Sequence, residues 1–223
     1  AGFYYINTSA PLFNLLIDRA SSASVVQLNT SPLVVLNDLT LASGAFTANN
    51  LNVTIGRNYS IALGTSYTPG TNTTIFNGTG DQTFTVDVAA PQSLNKLTID
   101  KPAGTALSFA GTQSTINVTD SFRLVLGTLN DNGNTINIAK NVYNSGIHSG
   151  TGKIVLNGTI LQSIDGNGVF NNLELNNTNA APAPVSLAAN CTVNGALTFS
   201  QNNLFNIGTY NLKLNATASV VNE

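Results

Sequence analysis

Apolar and polar residues alternate along most of this chain in short runs, as in Leu97-Thr98-Ile99, Ile116-Asn117-Val118, Ile136-Asn137-Ile138 and Leu212-Lys213-Leu214. A period of two sends one set of side chains inward and the other to water, so these runs predict β-strands. They are filled by Val, Ile, Thr and Phe, the residues that suit a pleated, half-buried surface. Gly, Asn, Asp and Pro punctuate them at intervals of roughly 8–12 residues, which is the spacing of turns between short strands. No stretch carries a useful 3.6-residue stripe. The most helix-like one, Phe13 to Arg19, is short and recurs elsewhere as a strand. The pattern predicts an all-β chain.

The runs also repeat. Leu12-Phe13-Asn14-Leu15-Leu16-Ile17-Asp18 aligns with Leu94-Asn95-Lys96-Leu97-Thr98-Ile99-Asp100 and with Phe170-Asn171-Asn172-Leu173-Glu174-Leu175-Asn176. Further on, Val26/Leu28 aligns with Leu107/Phe109 and Val185/Leu187, and Leu51/Val53 with Ile136/Ile138 and Leu212/Leu214. Between them, Val35…Leu39-Thr40-Leu41 aligns with Val118…Phe122-Arg123-Leu124 and Val193…Leu197-Thr198-Phe199. Asn77-Gly78-Thr79-Gly80-Asp81-Gln82 returns as Asn157-Gly158-Thr159-Ile160-Leu161-Gln162, 80 residues on. Agreement of several anchors at one spacing marks a repeat architecture. Residues 1–223 therefore read as one elongated array with approximate units 1–74, 75–153 and 154–223, entered and left in mid-repeat. Phe3 to Ile6 takes the place of Phe84–Val88, and the tail from Ala216 to Glu223 that of Lys140–Ile147.

Two architectures accommodate eight or nine short strands in each unit. One is a tandem array of immunoglobulin-like sandwiches, one per repeat. The other is a parallel β-helix, a solenoid with coils of roughly 20–27 residues, three strands to a coil and about three coils to a unit. Pairs such as Val118…Phe122 and Val193…Leu197 leave three residues between inward positions. That is enough for a corner but tight for a hairpin between sheets, so the β-solenoid is the preferred reading. A solenoid also tolerates ragged ends, because each coil mainly contacts its neighbours.

Composition then gains a cause. Charged residues make up 8% of the chain and the net charge is −2, whereas Asn numbers 33 and Thr 27. With 42% apolar residues the chain has the means to fold. Asn stacked coil upon coil can pass hydrogen bonds from amide to amide without charge repulsion. No basic stripe exists to neutralise phosphates, which excludes nucleic acid as a partner, and no apolar run reaches the roughly 18 residues of a membrane span. The sequence holds no signal-peptide pattern, so an export signal is expected upstream or already removed. The single cysteine, Cys191, alternates with Val193 and reads as a buried small hydrophobe.

The strings Phe170-Asn171-Asn172-Leu173-Glu174-Leu175-Asn176, Val193-Asn194-Gly195-Ala196-Leu197-Thr198-Phe199 and Gly152-Lys153-Ile154-Val155-Leu156-Asn157-Gly158-Thr159 with Gln162 resemble the repeats of very large secreted surface proteins of Bacteroidota and other environmental bacteria. The similarity spans residues 75–215 and, more loosely, 12–60, where Asn37-Asp38 departs from the expected Val-Asn-Gly turn. The resemblance implies surface-exposed, adhesin-like β-repeats. It carries over no catalytic residues.

Candidate chemistry is sparse. Catalysis on polysaccharides needs paired carboxylates, or a cation against a uronate. Asp18 and Asp100 occupy equivalent positions that Asn176 fills in the third copy, which suits a turn better than an active site. His148 lies in a loop-like stretch without an acidic neighbour in sequence and reads as a surface histidine. Asp131-Asn132-Gly133-Asn134 and Asp165-Gly166-Asn167-Gly168 resemble calcium loops but lack further acidic ligands and read as turns. No catalytic, cofactor or metal residue is assigned. Candidate glycosylation sites are the eleven sequon asparagines Asn7, Asn29, Asn52, Asn58, Asn72, Asn77, Asn117, Asn157, Asn176, Asn190 and Asn215. The expected function is a non-catalytic structural segment of an extracellular, cell-surface adhesin or fibre. Its expected partners are neighbouring repeats or copies of itself, with surface glycans as a further candidate. Two alternatives stand beside it: a filament subunit joined by addition of a strand such as Phe3-Tyr4-Tyr5-Ile6-Asn7, and a carbohydrate-binding or carbohydrate-cleaving β-helix.

Overall fold

The computed structural model describes residues 2–19, 24–201 and 204–222; Ala1 and Glu223, the outer residues of the first and third units, lie outside the described residues. Among those described there is no helix, and every strand pairing is parallel. Strands follow one another onto three faces in rotation. Face two is a nine-stranded sheet and face three a ten-stranded sheet. Face one consists of a four-stranded and a seven-stranded sheet end to end. The chain is a β-solenoid of three strands per coil. Coils range from 18 residues, where Thr135 pairs with Lys153, to 25 where Leu97 pairs with Phe122 and 26 past the bulge where Asp100 pairs with Leu126. The tight corners expected at Val118…Phe122 and Val193…Leu197 lie between strands on successive faces.

Alternation places one row of each strand in the lumen. Leu39, Tyr59 and Phe84 stack coil on coil beneath face three, and Leu97, Phe122 and Val142 beneath face two, all essentially solvent-free. Aromatic rings fill the middle coils, with Tyr59 and Phe84 stacked at 5.2 Å and Phe84 edge-on to Phe109 at 5.7 Å. Such pairs add roughly 0.5–1.5 kcal/mol each beyond the area they bury.

The repeat and the coil do not share a period. Leu15–Ile17, Lys96–Asp100 and Leu173–Leu175, equivalent in sequence, are the second, thirteenth and twenty-fourth strands. Each unit therefore holds eleven strands rather than eight or nine, three full coils and two strands of the next. Eleven is one short of twelve, so every repeat steps back by one face. The three equivalent strands lie on faces three, two and one in turn. Burial of alternate residues is the same on each face, so a given motif serves on any of them.

Asn works differently from the expected long amide ladders. Direct pairs are short: Asn137 donates to Asn117 at 2.9 Å, Asn37 to Asn14 at 2.8 Å, and Asn215 to Asn194. More often a side-chain oxygen accepts a backbone N–H of the next coil. Asn52 takes Thr73 N–H, Asn58 takes Thr83 N–H, Asn172 takes Ala196 N–H and Asp81 takes Ala106 N–H. At corners the chain leaves the strand ladder and its N–H groups need another acceptor. A short Asx side chain one coil below supplies it.

Face one breaks once, between Ser66–Thr68 and Gln92–Leu94. Pro91, just before the second strand, has no N–H to donate. Gln92 partly substitutes, its Nε2 donating to Tyr67 O at 3.2 Å.

Candidate functional site

Three features have the chemistry of a site. The first is a corner node found twice. Gln82 is buried; its Oε1 accepts Gly78 N–H at 2.9 Å, and its Nε2 donates to Ile55 O at 2.9 Å and Arg57 O at 2.6 Å. Gln162 repeats this with Gly158 N–H, Ile138 O and Lys140 O at the same three distances. A cationic or amide donor closes each node from the following coil. Lys101 Nζ, in a residue 1% exposed, donates to Gly78 O, Gly80 O and Gln82 Oε1 at 3.0, 2.7 and 2.8 Å. Asn177, its repeat equivalent, donates to Ile160 O and Gln162 Oε1, both at 2.7 Å. Burial pushes the Lys101 ammonium below its ordinary range, with Asp81 opposing. Because an amide fills the same place in the other copy, the geometry is that of a structural plug rather than a reactive lysine.

The second feature corrects the sequence reading of His148. It is not a surface residue: it sits inside the strand Ile147–Ser149, 1% exposed, with Nε2 2.7 Å from Asp131 Oδ2. Nδ1 accepts Asn171 N–H at 3.3 Å, which assigns the proton to Nε2. Asp131 Oδ1 accepts both Gly133 N–H and Gly152 N–H at 2.8 Å. Asp131 and His148 lie 17 residues apart, close to one coil, so the solenoid register brings together what the linear sequence separates. With both side chains fully enclosed, the pair reaches no substrate.

The third is surface relief. A cleft of about 530 Å³ follows the break in face one and is lined by Leu63, Tyr67, Val88, Pro91 and Gln92, with no carboxylate or histidine. A smaller one on face two, about 280 Å³, gathers Arg123, Tyr143 and Asp165, with the Arg123 guanidinium 4.3 Å above the Tyr143 ring. It can hold a polar ligand, but supplies one carboxylate where glycoside hydrolysis needs two.

The other sequence candidates scatter. Asp18, Asp100 and Asn176 lie at the ends of strands on three different faces, and Asp18 accepts the Ser43 hydroxyl at 2.8 Å. The Asp165 carboxylate accepts its neighbour Gly166 N–H at 2.7 Å, a local turn. Among the described residues no three His, Cys, Asp or Glu side chains converge as metal ligands. None of their helices could cross a membrane, for they include none.

Cys191 is 2% exposed, and burial pushes its thiol up to about 12. Burial likewise raises Tyr59, where Tyr67 adds to it, and Tyr67, where Thr74 and Asn72 oppose it. These groups keep their protons to higher pH in the folded chain than in the unfolded one. Their contribution to stability is therefore intact below about pH 8.5 and falls as pH rises from there, Cys191 alone contributing a loss of up to about 4 kcal/mol by pH 12. Lys101 acts in the opposite sense below about pH 10, where Cys191 alone opposes it; the two tyrosines add to the loss above that. Denaturation midpoints measured from pH 7 to 11 should fall on the alkaline side, and an aromatic disulfide reagent at pH 8 should react with Cys191 only on unfolding. A flat profile, or prompt reaction of the native chain, would contradict this burial.

Comparison of the chain with protein-family models, curated proteins and solved structures finds no match in any of the three.

Proposed function

We propose that this chain is a structural segment of an extracellular, cell-surface adhesin or fibre, working through length and stacking rather than catalysis. The observation that carries the reading is a single apolar lumen continuing through ten stacked strands of face three. At about 4.8 Å per coil, that makes a rod of roughly 45–50 Å built from coils on one three-strand plan. Polar groups that elsewhere build active sites are committed between coils instead, as in the Gln82 and Asp131 clusters. Such a rod spaces whatever is attached to it. Antibodies against the chain should label intact producing cells; labelling seen only after permeabilisation would overturn the surface location. Release of reducing or unsaturated ends from a polysaccharide panel would overturn the absence of catalysis.

A self-assembling filament is the second reading. In that reading, sheet edges such as Phe3–Ile6 and Ser219–Asn222 pair with a second copy of the chain by strand addition. Electron microscopy of the purified chain separates the two, regular fibres favouring the filament and dispersed rods the spacer.

A further inference from the structure

We propose that Asn77 and Asn157 are attachment sites for N-linked glycans, set by the repeat on successive corners of the solenoid. The eleven sequons are not equal in the folded chain. Asn72 is 1% exposed, its Nδ2 donating to Leu51 O and Tyr67 OH, and cannot receive a sugar. Most others commit their side chains to a neighbouring coil, as Asn190 does with Asn211 N–H and Asn117 with the Asn137 amide. Asn29, Asn77 and Asn157 are exposed, and their side-chain amides make no hydrogen bond within the described residues.

Asn77 and Asn157 are equivalent positions of the repeat, and around them exposure is identical: Asn exposed, Gly buried, Thr exposed. The structural work of both turns is done by other residues. Gly78 and Gly158 lie flush against the coil below, and Gln82 and Gln162 tie the turn down. Neither asparagine has the positive φ that favours Asn over other residues; among described non-glycines only Asn49, Asn50 and Asn132 do. Thr79 and Thr159 are exposed and likewise make no side-chain hydrogen bond. The fold thus requires the Gly but gives no reason for Asn and Thr to flank it in both copies, whereas recognition from outside needs the Asn amide and the Thr hydroxyl. Asn77 stands between faces two and three and Asn157 between faces one and two, so the two sugars would project from adjacent corners.

The acceptor is Asn Nδ2 and the co-substrate a lipid-pyrophosphate oligosaccharide, used by a transferase acting in trans. The Nδ2–C1 bond forms, the C1–O bond to the pyrophosphate breaks, and Nδ2 gives up one proton as the lipid pyrophosphate departs. Export of the full chain through a host's N-glycosylation pathway, with peptide mapping by mass spectrometry, tests this. Glycan is expected at Asn77 and Asn157 and not at Asn72, and Asn77→Gln and Asn157→Gln should each remove one glycan. A folded, exported chain bare at both positions overturns the proposal, whether or not Asn29 is modified. A second reading does not depend on the host. The two glutamine variants, made without glycosylation, should melt with the parent chain; a clear fall in their midpoints would reveal a structural role for these amides and remove the argument.

Discussion

Asp131→Ala is expected to lower the unfolding free energy of the chain by about 3–5 kcal/mol, because it takes the acceptor from several buried donors at about 1–3 kcal/mol each. The carboxylate is fully enclosed and meets three donors: Gly133 N–H, Gly152 N–H and His148 Nε2. Alanine leaves all three without their acceptor, and each orphaned buried donor costs about 1–3 kcal/mol. Asp131→Asn should fall between. Its oxygen keeps the glycine contacts, but its NH₂ meets His148 Nε2, forcing the ring proton to Nδ1 against Asn171 N–H. His148→Gln should be the mildest, since its amide can donate to Asp131 and accept from Asn171. Denaturant midpoints of the four chains give the ranking, and hydrogen exchange should place the loss in the coils between about residues 128 and 172. An alanine variant within about 0.5 kcal/mol of the parent would show that the cluster adds nothing to stability.

That cluster marks the boundary of what could be read from the sequence. Strands and their inward residues were legible because alternation is a local signal, and the period-two runs around Leu97, Ile116 and Ile136 are strands with those residues buried. The corner at Val118…Phe122 was legible because three residues cannot cross between packed sheets. His148 was misread because its acidic partner is local only in the solenoid, one coil away. The coil length there had to be known first. Lys101 was missed for the same reason, although the recurrence of Gln82 at Gln162 was visible and could have marked a buried node.

The eleven-strand unit explains why the repeat is clear in sequence yet hard to convert into coils. A repeat of nine or twelve strands would return each motif to its own face, letting faces diverge in composition. With eleven, the motif at Leu15–Ile17 must work on face three, its copy at Lys96–Asp100 on face two and its copy at Leu173–Leu175 on face one. All three faces therefore carry the same kind of pattern, with apolar residues inward and Thr, Asn or Ser outward. Neutral outward residues suit this, because a charge written into the repeat would appear on every face in turn. The 8% charge content follows from that constraint as much as from any partner.

Gly78→Ala is the second large effect expected, and it tests the corner node. A Cβ at Gly78 would lie 1.9 Å from Gly56 O and 2.9 Å from Gln82 Cδ. The first neighbour is backbone and the second is pinned by four hydrogen bonds, so neither can move aside cheaply. Overpacking alone costs roughly 1–3 kcal/mol, occasionally more. Displacing Gln82 also takes one of three acceptors from Lys101 Nζ and one of two donors from Ile55 O, a lost hydrogen bond being worth about 1.5–3 kcal/mol to a charged group and about 0.5–1.5 between neutral ones. A loss of about 3 kcal/mol or more is therefore expected. Gly158→Ala should cost less, because its Cβ would stand 2.4 Å from Ala139 O and the plug there is the uncharged Asn177. Gly80, two residues along the same turn, has open space around its Cβ position and no positive φ, so Gly80→Ala should leave stability unchanged within about 0.5 kcal/mol. Equal effects at residues 78 and 80 would mean that the turn, and not the buried node beneath it, sets the cost.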